Sequence, residues 1–498
     1  MSLLGLEIGR TRCRALAASE DGGILGHARR DYAPANGAGR PRMIDARQVW
    51  AAMRDALSEV VAGTQHDPVR ALSIASTGEI LVPLSSDGQI LASGILCENG
   101  QAASYLRRIR DMLGEERFFD ITGHTLSQAR LLAQLCRLYE HERRLYEQTW
   151  RFVPLGSLMA HLLGGSLMCD YSLAARMSLL DIGRQEWSGR VLATCGLPPL
   201  KLPDLAPAGT PLGTISAAIA RLLGLPATTH LVLGGHDLAC SLLGSGVIQP
   251  GQALYSMGAA FCLAPVFQAV PLRSLMLHHG LSMAPHVLPD TSLSWVQSAS
   301  GGSVLQWFRD TLAPLEKREA QKRGSNVYAE LLAEMPEEPT SLIAIPNLAG
   351  EATPADKSPA TIVGLELNTD RGTLIKALLE GIALFFAQGR HLFEQVGIRL
   401  ESCRATGGGA RAEPWLQLTA DVLNLPLEST EILAPAPLGA AILAGIGGEV
   451  YAGSDQAITA LVRVRRRYEP DPQRAARYRE KLERYRAVRA LLEGYVHR

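Results

Sequence analysis

One carboxylate, Asp237, stands where a side chain could act as a general base. It follows a Gly-Gly-His sequence at 234–236, after a short apolar run at 231–233. The run predicts a buried strand, and a helix is predicted from 238 to 244. An aspartate at the carboxyl end of a strand could take the proton from a hydroxyl group. Alternatively, Asp237 only caps the following helix, and these residues alone leave both interpretations open.

Two glycine-rich turns could hold an anion through their backbone amides. The turn at 258–260 (Gly-Ala-Ala) follows a predicted strand at 253–257, and a triple glycine at 407–409 precedes a helix predicted over 413–423. Backbone N–H groups in such turns can bind phosphate, especially where a helix begins. The triple glycine could also be a plain loop.

A β-hairpin with its turn at Gly9 is predicted over residues 3–14. Glu7 and Thr11 flank the turn, which the arginines at 10, 12 and 14 crowd. These residues could grip phosphate. On this segment alone, an ordinary edge hairpin with solvated arginines is the favoured interpretation.

Composition and charge exclude several classes of protein. The chain has 498 residues, of which 47% are hydrophobic, and its 49 basic and 49 acidic residues give a formal net charge of zero. This balance argues against a partner that is a nucleic acid or a membrane surface. We find neither an apolar run of membrane-spanning length nor a signal peptide. Eight scattered cysteines without a CxxC pair suggest reduced, mostly buried thiols in a cytoplasmic protein.

The remaining pattern is that of a mixed α/β chain. Helices are predicted at 45–62, 126–145, 155–163, 303–312, 370–396, 438–446 and 475–495, a loop at 170–180 and a helix within 183–192. Glu79 lies between strands predicted at 71–75 and 80–84, where it could hydrogen-bond sugar hydroxyls or be a surface acid. A change of composition near 244–251 suggests the boundary between two halves.

Several segments, taken in order, resemble the FGGY family of carbohydrate kinases over nearly the whole chain. The strongest match is GGGARAEPWLQLTADVLNLPLE at 407–428, followed by LGAAILAGIG at 438–447. GGHD at 234–237 and GGSVLQWFRD at 301–310 are the next. Smaller matches lie at 186–198, 346–351 and 377–383.

The resemblance implies an α/β protein with two domains of the actin-like, ribonuclease-H-like fold and a central interdomain cleft in which ATP and sugar meet. It implies a sugar-binding domain at 1–246 and a nucleotide-binding domain at 247–498. Asp237 would be the catalytic base, and Glu7 and Asp237 would hold Mg²⁺. The sugar-binding residues would be Thr77, Gly78, Glu79, Asn99, His236 and Asp237. The ATP-binding residues would be Gly9, Arg10, Thr11, Arg12, Gly258, Ala259, Gly302, Gln306, Gly408, Gly409, Ala410 and Glu413, with Trp415, Gln417 and Asp421 in the adenosine signature.

The phosphate turns and the sugar side depart from the family pattern. The first turn reads Glu-Ile-Gly-Arg-Thr (7–11) where the family has D-x-G-T-T/S, and the second reads Gly-Ala-Ala where the family has G-T-S. The family's W-x-D-x-R corresponds to 97–101, and its G-Q-M-H turn to 76–79. Glu79 falls where glycerol kinases carry a sugar-binding glutamate. Backbone amides remain available in both phosphate turns.

These observations lead to an ATP-dependent kinase for a small-molecule sugar as the main hypothesis. Overall resemblance favours a ketopentose such as xylulose, while other sugars, polyols including glycerol, and sugar acids remain open. A second hypothesis is a degenerate kinase that binds ligand with little phosphoryl transfer, because two phosphate-turn hydroxyls are missing. A third is an actin-like ATPase or chaperone relative without a sugar substrate. Family members often form homodimers, so a homodimer is an expectation as well.

Overall fold

The computed structural model describes residues 1–33, 43–96, 103–128, 130–194, 196–198, 201–269, 271–349 and 359–496. The predicted sugar-side segment at 97–101, with Asn99, lies outside these residues. The chain forms two compact units. The first unit comprises Met1–Ile248, Met276–Ser294 and Ala434–Arg463, and the second comprises Gln249–Leu275, Trp295–Leu433 and Val464–Arg498. The predicted boundary at 246 lies close to the end of the first of these segments, but no sequence pattern predicted that two later segments join the first unit.

Strands and helices alternate along much of the chain. The strands are β1 (Ser2–Ile8), β2 (Arg12–Ser19), β3 (Ile24–Asp31), β4 (Met43–Ile44), β5 (Val69–Ser76), β6 (Ile80–Leu84), β7 (Gly94–Leu96), β8 (Arg151–Pro154), β9 (Met168–Asp170), β10 (Leu180–Asp181), β11 (Glu186–Trp187), β12 (Asp204–Ala206), β13 (Pro211–Thr214), β14 (His230–Val232), β15 (Gly251–Met257), β16 (Phe261–Phe267), β17 (Met283–Pro285), β18 (Ser292–Ser294), β19 (Val296–Ser298), β20 (Ile343–Ile345), β21 (Thr361–Val363), β22 (Leu400–Thr406), β23 (Leu427–Thr430) and β24 (Val464–Tyr468). The helices are α1 (Ala46–Ala62), α2 (Ala103–Leu113), α3 (Glu115–Thr122), α4 (Arg130–His141), α5 (Arg143–Gln148), α6 (Leu155–Leu162), α7 (Tyr171–Arg176), α8 (Gly189–Thr194), α9 (Ala217–Leu223), α10 (Asp237–Gly244), α11 (Arg273–His278), α12 (Gly302–Leu312), α13 (Pro314–Arg323), α14 (Val327–Ala333), α15 (Arg371–Gln395), α16 (Glu413–Leu423), α17 (Pro435–Gly447), α18 (Ser454–Leu461) and α19 (Pro472–Val496).

The main sheet of the first unit brings three strand ends together. Its strand order is β13-β14-β5-β1-β2-β3. Because β1, β5 and β14 run parallel, their carboxyl ends lie at one edge of the sheet. The residues that follow them are the turn at 9–12, the segment at 77–79 and Asp237. The fold therefore brings these three separate segments to the same edge.

Helices cover both faces of this sheet, which explains why β1 and β5 are almost continuously apolar. On one face α1 packs on β2 and β3 through Val49, Met53 and Leu57, which are buried. On the other face α17 packs on β1 and β5. A Cβ at Gly5 would lie 1.7 Å from the Pro437 carbonyl oxygen, so only glycine permits this close approach.

The predicted helices are present, with corrections in three places. The single helix expected over 126–145 is instead a 3-10 turn at Leu126–Gln128 followed by α4 and α5, because Glu142 leaves the helical conformation at φ −126° and ψ 46°. The stretch at 170–180, expected to be a loop, contains α7, because the Asp170 carboxylate accepts hydrogen bonds from the Ser172 and Leu173 amides and so caps a helix. The helix expected within 183–192 begins only at Gly189. The hairpin at 3–14 is not at a sheet edge, since β1 lies inside the sheet and β3 forms its edge.

The second unit has a sheet in which β15, β22 and β23 are parallel neighbours. β16 and β19 extend it antiparallel on one side, and β24 on the other. Since β15 and β22 run side by side, the turns that follow them, 258–260 and 407–409, lie next to each other at one edge. The predicted glycine turns are therefore neighbours, although about 150 residues separate them in the sequence.

Two long helices form much of the core of the second unit. α15 meets the length and composition of a membrane span, contrary to the expectation from sequence, but most of its apolar window is buried inside the protein. α19 packs against α15, α16 and β20 and buries Tyr478 and Tyr485. This confirms the prediction that the charged tail helix packs on the body. Of the cysteines that the structure describes, all but Cys262 are buried.

Candidate active site

Asp237 is the first residue of α10 and points its carboxylate into a charged environment. The N-cap of α10 is His236, and no side chain makes a capping hydrogen bond there, so the interpretation of Asp237 as a helix cap is wrong. The side chain is 32% exposed. Burial, followed by the negative charges of Glu7 and Glu79, raises the pKa of Asp237 to about 7, and the charge of Arg176 opposes this shift. Such a carboxylate can accept a proton near neutral pH.

His236 is held beside Asp237 by backbone contacts. Its Nε2 lies 3.2 Å from Asp237 Oδ1. Burial and the charge of Arg176 lower the pKa of His236 well below its usual value, so the ring is neutral and the contact is not an ion pair. The His236 amide donates to Ser172 Oγ over 2.8 Å, and that hydroxyl donates to Asp170. The start of α7 therefore fixes the position of His236.

Arg176, at the end of α7, is a site residue that the sequence analysis missed. Its Nη2 donates to Glu79 Oε1 over 2.8 Å, and its side chain is only 13% exposed. Its charge contributes to the lowered pKa of His236. The pKa of the fully buried His124 is lowered to about 3, mainly by burial and to a smaller extent by the charge of Arg176. Asp170 followed by helix-forming residues is a helix-start signal that could have revealed α7 and so Arg176.

Glu79 is more than a surface acid. Besides Arg176, it contacts Arg10, whose Nη1 lies 3.5 Å from Glu79 Oε2. A Cβ on the preceding Gly78 would lie 2.5 Å from Arg176 Cβ and 3.2 Å from His236 Cδ2. Glycine at this position therefore allows these two side chains to approach the strand end. Thr77 is buried there, and its amide donates to the Ile8 carbonyl.

The turn at 9–12 has a fixed backbone with two available amides. Gly9 N donates to Arg12 O over 2.9 Å, and the Tyr32 hydroxyl lies within hydrogen-bond distance of the carbonyls of both Gly9 and Arg12. Within the described part of the chain, the Arg10 and Thr11 amides donate to no acceptor. The Arg12 side chain lies near Asp31, with Nε 3.8 Å from Oδ1. The turn can therefore hold an anion through its amides.

Two carboxylates near this turn suit a divalent cation that keeps most of its waters. Glu7 Oε2 accepts a hydrogen bond from Arg14 over 2.7 Å, and the charge of Glu7 reaches Asp237 strongly enough to raise its pKa. Among the described residues there is no group of three or more His, Cys, Asp and Glu side chains arranged for a metal. Mg²⁺ typically takes only one or two carboxylates and completes its shell with water and phosphate oxygens. The described residues are therefore compatible with Mg²⁺ bound through one or two carboxylates.

In the second unit, the turn at 258–260 packs against the start of α12. The Gly302 amide donates to Gly258 O and the Ser303 amide donates to Ala259 O, over 3.1 and 3.3 Å. A Cβ on Gly302 would lie 2.6 Å from Gly258 O. The first turn of α12 is thus used to support the turn. The amides of Gly258, Ala259 and Ala260 donate to no acceptor among the described residues, which leaves them available to a phosphate.

The triple glycine lies against the same turn. Gly407 has φ +88°, and a Cβ on it would lie 2.7 Å from Met257 O. Gly408–Arg411 form a short 3-10 turn that buries Ala410. The Gly408 and Gly409 amides donate to no acceptor in the described chain, and Gly408 faces open space. Gln306 is exposed on α12, and Glu413 forms an ion pair with Arg466.

Three residues of the adenosine signature serve the fold of this unit. Trp415 is buried, with its ring 5.1 Å from that of Phe261. Asp421 accepts hydrogen bonds from Gln417, from the Asp471 amide and from Arg474. Gln417 and Asp421 therefore anchor the start of α19. The signature marks the helix that follows the glycine turn, and the turn itself presents the amides.

Family models match both parts of the chain. Residues 2–244 match the N-terminal domain of the FGGY family of carbohydrate kinases, and residues 293–448 match its C-terminal domain. Autoinducer-2 kinase from Escherichia coli (strain K12) is 28% identical over 447 residues, which are 88% of this chain and 83% of that kinase. Xylulose kinase from Bacillus subtilis (strain 168) is 25% identical over 438 residues, 87% and 86% of the two chains.

Solved structures agree with this assignment of the fold. Xylulose kinase from Rhodospirillum rubrum superimposes with a TM-score of 0.88 at 27% identity and covers 100% of both chains. Glycerol kinase from Plasmodium falciparum with ADP gives a TM-score of 0.84 at 16% identity over 97% of this chain and 98% of that one, a likeness that shows the fold alone. The predicted actin-like, ribonuclease-H-like α/β fold is confirmed.

Proposed function

This chain belongs to the FGGY family of carbohydrate kinases and is a phosphotransferase with an alcohol group as acceptor; we propose that it transfers the γ-phosphate of ATP to a primary hydroxyl of a short-chain sugar, with a ketopentose such as xylulose as the leading acceptor. Relatives named for xylulose and for autoinducer-2 support a sugar of this kind. Membership of the family removes the reading as an ATPase or chaperone relative without a sugar substrate.

The position of Asp237 at the same sheet edge as the turn at 9–12 and the segment at 77–79 is the observation that carries the proposal. A sugar hydroxyl is a weak nucleophile, and a carboxylate that titrates near pH 7 can accept its proton as the bond to phosphorus forms. His236 lies next to Asp237, with Nε2 3.2 Å from Oδ1. Glu79, Thr77 and Gly78 lie at the adjoining strand end, where Glu79 and Arg176 offer an acceptor and donors to the other hydroxyls of the sugar. Asn99 stays a prediction on the same side.

The available amides support a nucleotide role for the three turns. Backbone N–H groups at 10–11 and at 258–260 suit phosphate oxygens, and those at 408–409 suit the adenosine end. Glu7 and Asp237 would hold Mg²⁺, which supplies a positive charge that stabilises the phosphates during transfer. We further propose a cytoplasmic location and a homodimer, on the resemblance alone.

Loss of the turn hydroxyls does not by itself favour a degenerate kinase. The amides of Ala259 and Ala260 keep the main anion-binding function of that turn, and Arg10 adds a positive charge to the other. Rate measurements decide between the two readings.

ADP release with ATP and Mg²⁺ across a panel of acceptors tests the proposal. The panel holds xylulose, ribulose, glycerol, gluconate and the autoinducer-2 precursor, each at several concentrations. We expect release that depends on one acceptor, with the highest kcat/KM for a ketopentose. Release that is the same with and without every acceptor, while ATP still binds, would contradict it.

A further inference from the structure

The substitution at position 10 places a guanidinium between the phosphate turn and the sugar side of the first unit. The backbone of the turn is fixed by Tyr32 and by the Gly9–Arg12 hydrogen bond, but the Arg10 side chain is 63% exposed. Its contact with Glu79, at 3.5 Å, is long for a charge-assisted hydrogen bond. An exposed pair of this kind is weak and is readily broken by a better partner.

Glu79 is shared between two arginines in different positions. Its Oε1 accepts from Arg176, which is largely buried, over 2.8 Å, while Oε2 faces Arg10. The Arg176 contact is the stronger one, because it is shorter and better shielded from solvent. Glu79 is therefore anchored by Arg176, and its second oxygen is the one that can exchange partners.

Arg10 and Glu79 also have competing ligands. Phosphate binds guanidinium by paired hydrogen bonds that are stronger than a single long contact to a carboxylate. A sugar hydroxyl can donate to Glu79 Oε2 and so replace Arg10. Each ligand takes one partner of the same ion pair, so each lowers the cost of binding the other.

We propose that Glu79 holds Arg10 away from the nucleotide phosphates until an acceptor hydroxyl occupies Glu79, and that Arg10 thereby couples acceptor binding to phosphate binding. This makes Arg10 a phosphate-binding residue whose availability depends on Glu79. The inference rests on the proposed function, in that the anion is a phosphate of ATP. Linkage requires the coupling to be reciprocal, so nucleotide must tighten acceptor binding by the same factor.

The first test needs no acceptor and so does not depend on the sugar. The Kd of a non-hydrolysable ATP analogue with Mg²⁺ is measured by calorimetry for wild type, Glu79→Gln, Arg10→Thr and the double variant. Breaking the ion pair in Glu79→Gln releases Arg10, and we expect about three- to fivefold tighter binding, the range that an exposed pair allows. In the Arg10→Thr background, Glu79→Gln should change nothing.

Two controls separate this device from a general charge effect. Glu59→Gln removes another exposed carboxylate that pairs with an arginine, Arg30, and should leave the Kd unchanged. Arg10→Lys keeps the positive charge but loses the planar guanidinium that binds phosphate through two hydrogen bonds. In this background Glu79→Gln should still tighten binding of the ATP analogue, but less than it does with Arg10 present. No gain in Glu79→Gln, or an equal gain in the Arg10→Thr background, would overturn the proposal.

The second test uses the acceptor that supports ADP release, with xylulose as the first probe. In wild type the acceptor should tighten binding of the ATP analogue about three- to fivefold, and Arg10→Thr should abolish the tightening. Equal tightening in wild type and Arg10→Thr would overturn the coupling while leaving the kinase assignment intact. Failure of every acceptor to support ADP release would instead count against the proposed function, and the first test would still stand.

Discussion

At the scale of single residues, Asp237 carries the chemistry because its surroundings disfavour its charge. Burial and the nearby carboxylates of Glu7 and Glu79 together outweigh the effect of Arg176. A base needs a pKa close to the working pH, and an ordinary surface aspartate would be far too weak. Burial and the neighbouring carboxylates therefore allow Asp237 to act as a general base near neutral pH.

The pH dependence of kcat/KM follows from this pKa. The free enzyme needs Asp237 deprotonated, so kcat/KM should rise with pH through an ionisation near 7 and level off above it. Glu79→Gln removes one of the negative charges that raise the pKa, so its profile should shift to lower pH. Initial rates at subsaturating acceptor between pH 5 and 9 check both. A profile that is flat across this range would exclude Asp237 as the titrating base.

Asp237 should also lower the stability of the folded protein as pH rises. Its folded pKa, about 7, is above the unfolded value of about 3.9, so the folded state binds more protons between these pH values. The free energy of unfolding therefore falls as pH rises from about 4 to 7. Asp237→Asn should melt at the same temperature as wild type near pH 4 and a few degrees higher at pH 8.

Differential scanning fluorimetry across pH measures this difference. Asp204→Asn, which removes an exposed aspartate of β12, is the matched control and should follow wild type at each pH. If Asp237→Asn is less stable than wild type at pH 8, the buried negative charge of Asp237 does not destabilise the folded protein.

At the scale of elements, the site depends on strand ends and on glycines that let side chains approach them. The carboxyl ends of β1, β5 and β14 bring 9–12, 77–79 and Asp237 to one edge. α7 adds Arg176 from a segment that had been predicted to be a loop. Gly78 lies against both Arg176 and His236, whose side chains occupy the space that a Cβ at this position would need.

Gly78→Ala should therefore damage acceptor binding. The new Cβ would lie 2.5 Å from Arg176 Cβ, so the arginine and His236 must shift. We expect KM for the acceptor to rise about tenfold or more, while the Kd for the ATP analogue stays within about fivefold of wild type, the range set by any release of Arg10 from Glu79. Gly189→Ala, where a Cβ meets nothing within 4 Å, is the control and should match wild type. An unchanged acceptor KM in Gly78→Ala would remove this segment from the sugar site.

Sequence patterns predicted most of the elements but not all of the contacts. Strand and helix periods predicted the strands around Gly9 and Asp237, and the long helix α15. α7 was missed because six residues are too few for a helical period to show. The Glu79–Arg176 pair was beyond prediction, since 97 positions separate the two residues and only the tertiary fold brings them together. Gln417 and Asp421, which belong to the adenosine signature, hydrogen-bond within the fold, so a family motif can include residues that support the structure.

At the scale of the whole molecule, two units carry separate parts of the proposed function, and each needs its own core. The core of the second unit contains a buried ion pair between α15 and α19. Lys481 Nζ lies 2.5 Å from Glu380 Oε2, and the two side chains are 5% and 0% exposed. Tyr478 and Thr340 also hydrogen-bond to Glu380, so the carboxylate is fully partnered.

Lys481→Met should destabilise the second unit because it leaves the Glu380 charge buried without its cation. Removing one partner of a buried pair costs about 3–5 kcal/mol of unfolding free energy. Arg479→Met, on the exposed side of α19, is the control and should cost little. Urea denaturation followed by circular dichroism measures both. Equal stabilities for the two variants would show that the tail helix contributes little to the core.

Turnover by Asp237→Asn is the measurement that tests the central claim most directly. Asparagine keeps the shape of the side chain but cannot accept the proton, so ADP release in the presence of acceptor should fall by about 10²–10⁴-fold. The Kd for the ATP analogue should stay within about threefold of wild type, because the amides of the turns remain. An Asp237→Asn variant that turns over at the wild-type rate would contradict the assignment of Asp237 as the base and with it the proposed mechanism.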